Sequence, residues 1–217
     1  IEDTLEPAIE EGRGDMFVAS KTALATYLAK LIWQSVTVTV VKAVEGMKWL
    51  QEVASLVCQN DNAVTWHTPM GLPVQQNYME RNIKVFQMRF MGTRKRFYIP
   101  ELTGAVAGRK QAQGIAPNFI HSMDASHLQW SINRCLDKGI KHYSMIHDSY
   151  ATCPAQADTL FHTVREAFVE MYESNDVLMN FKEDMQGLVA PDVEIPDPPV
   201  KGALDIKCVL ESLYMFH

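Results

Sequence analysis

Only four cysteines occur in 217 residues (Cys58, Cys135, Cys153 and Cys208), and no two of them form a Cys-x-x-Cys pair. They read as reduced, mostly buried thiols and not as a disulfide framework or a zinc site. Long apolar runs are missing as well. The longest, Val36 to Val44, is interrupted by Thr37, Thr39 and Lys42 and is far too short to span a bilayer. Low-complexity sequence is scarce and no internal repeat is present. The acidic start, Ile1-Glu2-Asp3, carries neither an initiator Met nor a signal-peptide pattern, which suggests a piece of a longer chain. With 47% hydrophobic and 21% charged residues, the composition is that of an ordinary folded protein, sufficient for one large domain or two smaller ones.

An overall excess of positive charge is also absent. The formal net charge is −6, which taken globally argues against a nucleic-acid partner. Its distribution reverses the argument. From Arg81 to Lys110 there are eight basic residues and one acid, Glu101, so 30 residues carry +7 and the remaining 187 carry −13. A basic patch on an acidic body fits a phosphate backbone, although a solvated loop has the same composition.

The apolar spacing from Thr22 to Gln59 (Leu24, Leu28, Leu31, Ile32, Val36, Val40, Val44, Met47) predicts one long helix or two in succession, bent in the β-branched run Thr37 to Val41. Trp33, Trp49 and Trp66 read as core. Ile1 to Glu11 is helix-like. Ala63 to His67 and Val74 to Tyr78 read as short strands around a Pro/Gly turn. Asn82 to Pro100 alternates loosely about Gly92, as a long hairpin does. Gly104 to Gly114 reads as a flexible basic connection, and Asn118 to Lys138 as a helix stopped at Gly139. Helices follow over Ala155 to Glu173 and Asp176 to Gln186, then a Pro- and Asp-rich loop and a short helix from Leu204 to Leu213. The expected fold class is α+β. A boundary near Gly114 would divide it into residues 1–114, α-rich with a hairpin, and residues 115–217.

The segment Tyr143-Ser-Met-Ile-His-Asp-Ser-Tyr-Ala-Thr-Cys153 is strand-like on both sides of a single carboxylate. It predicts two strands joined by a tight turn with Asp148 at the bend. A carboxylate held there suits a magnesium ligand, and the bland alternative is an Asp that caps a turn beside a satisfied His147. Upstream, His121, Asp124 and His127 are spaced i, i+3, i+6 on a helix, an arc of roughly 120° that fans ligands apart and disfavours a metal site.

Together, Pro117-Asn-Phe-Ile-His-Ser122 with Asp124 and Ser126-His127, the Ile146-His-Asp-Ser149 turn, the helix Ala157 to Tyr172, and the closing Lys201-Gly202 with Leu210-Glu211-Ser212 resemble the C-terminal part of single-subunit, bacteriophage-type RNA polymerases. The resemblance covers nearly the whole chain and is weakest from about Glu80 to Arg109. It implies a right-hand polymerase fold, with part of the fingers over 1–114 and the C-terminal half of the palm over 115–217. It implies that Asp148 holds Mg2+ for two-metal nucleotidyl transfer, that His147 lies close to the RNA 3′ end, and that His121 approaches the minor groove of the new RNA–DNA pair. The 82–100 hairpin corresponds to a promoter-specificity loop, with Gln87, Arg89, Arg94, Lys95 and Arg96 available to bases or phosphates and Gln87 and Lys95 at base-reading positions.

The partners implied are double-stranded promoter DNA, the template strand, nascent RNA, nucleoside triphosphates and the N-terminal remainder of the enzyme, with no membrane, in the cytoplasm of a bacterial host. The family's other catalytic aspartate and its nucleotide-binding helix would precede Ile1, so this chain alone is expected to be inactive. A right-hand DNA polymerase usually shows His-Asp-Glu at the turn, and Ser149 argues for RNA synthesis. A non-catalytic DNA-binding module is a further alternative. A His-Asp phosphohydrolase is weaker, since its additional ligands are missing. The chain ends Tyr214-Met-Phe-His217, unlike the family in detail.

Overall fold

In a computed structural model, residues 21–212, 214 and 215 are described. The Ile1 to Glu11 helix and the closing Phe216-His217 lie outside them. The chain divides into two compact units, Ile1–Gly46 and Met47–His217.

The first unit contains helix α1 (Lys21–Thr39) and the start of α2 (Val41–Cys58), interrupted at Val40 inside the β-branched run, as the spacing suggests. Branched side chains at consecutive positions crowd the preceding turn. Trp33 departs from expectation: it is 50% exposed on α1 and is not core. No single helix among the described residues is long and apolar enough to cross a membrane.

In the second unit, β1 (Thr65–His67) pairs antiparallel with β2 (Pro73–Gln75) around the Thr68 to Leu72 turn. A long hairpin follows, β3 (Met79–Phe90) and β4 (Thr93–Val106), and then α3 (Gly108–Asp137). The chain continues through β5 (Tyr143–Ile146), β6 (Ser149–Thr152), α4 (Ala157–Ser174) and α5 (Val177–Gln186), the last capped by Asp176 accepting from the Met179 amide. The final helical segment is a 3-10 turn, Ile206–Leu210. Among the described residues the strands form three separate two-stranded ribbons. Such ribbons are marginal in water, and β1–β2 and β5–β6 are held by side chains packed on the core, Trp66 in the first and Met145 and Tyr150 in the second.

The main core joins Trp49, Val53 and Val57 of α2, Trp66 of β1, Ile115 and Phe119 of α3, and Phe181 of α5. Phe181 is its hub, with ring centroids 5.9 Å from Trp49, 6.0 Å from Trp66 and 5.1 Å from Phe119, all edge-to-face. Both core indole N–H groups are satisfied: Trp49 donates to the Pro196 carbonyl and Trp66 to Ser122 Oγ, both at 3.0 Å. A second cluster, Cys135, Ile140, Leu160 and Val164, packs under the β5–β6 ribbon through Met145 and Tyr150.

The segment after the hairpin differs from expectation. Gly104 to Gly114 is not a loose connection, because β4 runs to Val106 and α3 begins at Gly108. A division at residue 114 therefore falls inside a continuous helix that also contains Pro117. Pro117 has no N–H for the Gln113 carbonyl, a local reason for a break. Burial of Ile115 and Phe119 and a reciprocal amide pair between Gln111 and Gln76 outweigh it. Ile115 is fully buried at this turn. Ile115→Val is expected to destabilise by about 1 kcal/mol. In urea unfolding this appears as a lower midpoint at unchanged slope, and an unchanged midpoint contradicts the packing described.

Candidate functional site

Asp148 occupies the second position of a two-residue turn closed by the Ile146–Ser149 pair. His147, the first position, has φ of 55°, while Asp148 is not among the described residues with positive φ. This is the pattern of a II′ turn, whose first position favours Gly. A histidine there is strained, and strain of this kind gathers at working sites when the surroundings hold it. Both side chains are exposed at the tip.

The holding is visible two residues along. The Tyr150 hydroxyl lies 3.1 Å from His127 Nδ1, and His127 Nε2 lies 2.9 Å from the Val164 carbonyl. A carbonyl only accepts, so Nε2 carries the proton and Nδ1 accepts from Tyr150. Burial holds the His127 pKa below the ordinary imidazole value, which favours this neutral form. Burial, with help from Asp124 and Asp148, pushes the Tyr150 phenol up to about 12, so it remains a donor. His127 also meets Phe168 edge-on at 5.4 Å. Thus α3 and α4 together brace the strand that leaves Asp148.

His121, Asp124 and His127 do not converge. His127 is buried and committed, while His121 and Asp124 are exposed. Among the described residues, no group of three His, Cys, Asp or Glu side chains could hold a metal ion. Asp148 therefore offers a single hard oxygen donor, suited to Mg2+ in kind but not sufficient in number.

His121 sits on the wall of a groove of about 500 Å³ whose lining includes Trp66, Gln76, Tyr78 and Asn118. Sequence reasoning assigned none of these four to a site. The available signal was the polar run Gln75-Gln76-Asn77-Tyr78 between a strand and a long hairpin.

The hairpin centred on Gly92 is longer than expected, Met79 to Val106. It turns through Met91 and Gly92 with φ of 48° and 77°, a type I′ pattern. Nearly all of it is exposed. Gln87 lies opposite Arg96 and Arg89 opposite Arg94, so these four share one face. Lys95 lies opposite Met88 on the other face, with Phe86, Phe90 and Phe97. Gln87 and Lys95 are therefore not on one face. Lys84 pairs with Glu101, and the remaining hairpin cations have no acidic partner within ion-pair distance among the described residues.

The pattern of the family described as DNA-dependent RNA polymerase matches residues 2–191. A DNA-directed RNA polymerase of Enterobacteria phage K11 is 40% identical over the whole chain, and T7 RNA polymerase of Escherichia phage T7 is 39% identical over the same span. A mitochondrial DNA-directed RNA polymerase 1 of Arabidopsis thaliana is 35% identical over 78% of the chain and 17% of its own length. The chain spans about a quarter of the two phage relatives, 26% of each. With a family match over most of its length and similarity along the whole of this chain to part of both phage enzymes, this chain belongs to the DNA-dependent RNA polymerase family.

Proposed function

We propose that the chain is the C-terminal region of a phage-type, single-subunit RNA polymerase that transcribes double-stranded DNA in a bacterial host's cytoplasm. The hairpin and the elements before α3 form the fingers side of a right-hand fold, and α3 onward forms part of the palm. The observation that carries this reading is the exposed Asp148 carboxylate, set on a strained two-residue turn whose exit strand is braced by His127, in a chain of this family.

Asp148 would contribute one ligand to Mg2+, and no further carboxylate stands with it in a metal-binding group among the described residues. A metal ion held there would supply neutralisation of the charge that develops during phosphoryl transfer. His147 holds the RNA 3′ end beside Asp148. His121 contacts the newest RNA–DNA pair from the minor-groove side, where a donor tests pairing without reading sequence. Gln87, Arg89, Arg94, Lys95 and Arg96 engage promoter DNA, the arginines chiefly through phosphates.

Purified residues 1–217, given a primed template, nucleoside triphosphates and magnesium, are expected to add no nucleotides. The full-length polymerase containing the segment should extend the same primer. Extension by the segment alone would overturn the claim that its carboxylate is half of a site.

A further inference from the structure

The geometry points to Tyr78 as a second hydrogen-bond donor, beside His121, to the minor-groove side of the terminal RNA–DNA pair. This rests on the reading of His121 above and adds a residue to it.

The direction of the side-chain hydrogen bond at the Tyr78 hydroxyl follows from one backbone carbonyl. The Gln111 carbonyl can only accept, so the group 2.8 Å from it must be Gln76 Nε2. That orients the Gln76 amide and turns its Oε1 toward Asn118. The Asn118 atom 2.9 Å from that oxygen must then be Nδ2, a donor. Nδ2 has two protons, and the second goes to the Tyr78 oxygen at 3.1 Å. Since Tyr78 oxygen accepts from Asn118, its own proton points elsewhere. Tyr78, Asn118 and His121 line the same groove, so the hydroxyl proton is available to an acceptor that enters it.

The ring is also held in place. Gly114 of α3 lies under it, and a Cβ at that position would stand 2.7 Å from Tyr78 Cε2 and 3.3 Å from the hydroxyl oxygen. The Tyr78 carbonyl accepts from the Ala107 amide at 2.9 Å, which anchors the residue at the root of the hairpin. A donor fixed this firmly beside an exposed histidine suits an acceptor present in every pair. Purine N3 and pyrimidine O2 meet that requirement in the minor groove, and so does the ribose 2′ oxygen.

The test is single-turnover nucleotide addition by full-length polymerase to RNA primers ending in adenosine, 3-deazaadenosine or 2′-deoxyadenosine. These ends are complete, lack the base acceptor, or lack the ribose acceptor. Tyr78→Phe removes only the hydroxyl. It is expected to slow addition to the adenosine end about tenfold and to cost nothing further on the end that lacks its acceptor. Which analogue abolishes the difference identifies the base or the sugar as the partner. Gly114→Ala, which displaces the ring, should reproduce the same pattern. If Tyr78→Phe matches the parent on adenosine, or its defect multiplies with both analogues, the proposal is wrong. The underlying reading fails separately: there, His121→Ala would couple to neither analogue and Asp148→Asn would leave addition intact.

Discussion

Asp148→Asn in the full-length polymerase is expected to lower the rate of nucleotide addition by about 10²–10³-fold, the range typical of losing one preorganised electrostatic group. Promoter binding should change little. The substitution keeps the side-chain shape and removes only the charge. Among the described residues no side-chain hydrogen bond of Asp148 holds the turn, which is closed by the Ile146–Ser149 pair and braced through Tyr150 and His127. The effect therefore falls on the stabilisation of charge during transfer and not on folding. Pre-steady-state addition on a primed template measures it, with promoter affinity as the control. Addition at near parental rate would make Asp148 a turn residue and remove the centre of the proposed function.

Substitutions in the basic hairpin should separate base reading from phosphate gripping. Replacing Gln87 or Lys95 by Ala is expected to alter preference at one promoter base by about 1–3 kcal/mol if that side chain meets a base edge. Replacing Arg94 or Arg96 should weaken binding to all sequences about equally and reduce the salt dependence by roughly one unit of slope for each phosphate no longer neutralised. The register adds a constraint. Gln87 shares its face with Arg89, Arg94 and Arg96, whereas Lys95 lies on the other face among Phe86, Phe90 and Phe97. A hairpin that presents one face to DNA will show the Gln87 or the Lys95 effect alone, and one seated edge-on in a groove will show both. Binding to promoter variants across a salt series distinguishes these outcomes. If all four variants keep the parental base preference and slope, the charge is a solvated surface.

Much of this was legible in the sequence because it depends on neighbours along the chain. A β-branched, aromatic run on each side of His147-Asp148 specifies a two-residue turn locally, and the +7 stretch around Gly92 specifies an exposed basic hairpin by alternation and charge. The family follows from such local patterns as well, since the motif residues are contiguous. Tertiary structure decided what depends on partners distant in sequence. Gly114 and Pro117 read as a break, yet α3 runs through them because Tyr78, Gln76 and the buried core pack against that turn and offset the missing backbone hydrogen bond. Trp33 and Trp66 are both large aromatics in apolar surroundings, but only Trp66 meets Phe119 and Phe181. The proton on His127 and the free proton of Tyr78 were settled by two backbone carbonyls, Val164 and Gln111, which stand 37 and 35 residues from the side chains that donate to them. A sequence names the donors. Only the fold determines where each proton goes, because hydrogen-bond direction is a property of the acceptor brought to face it.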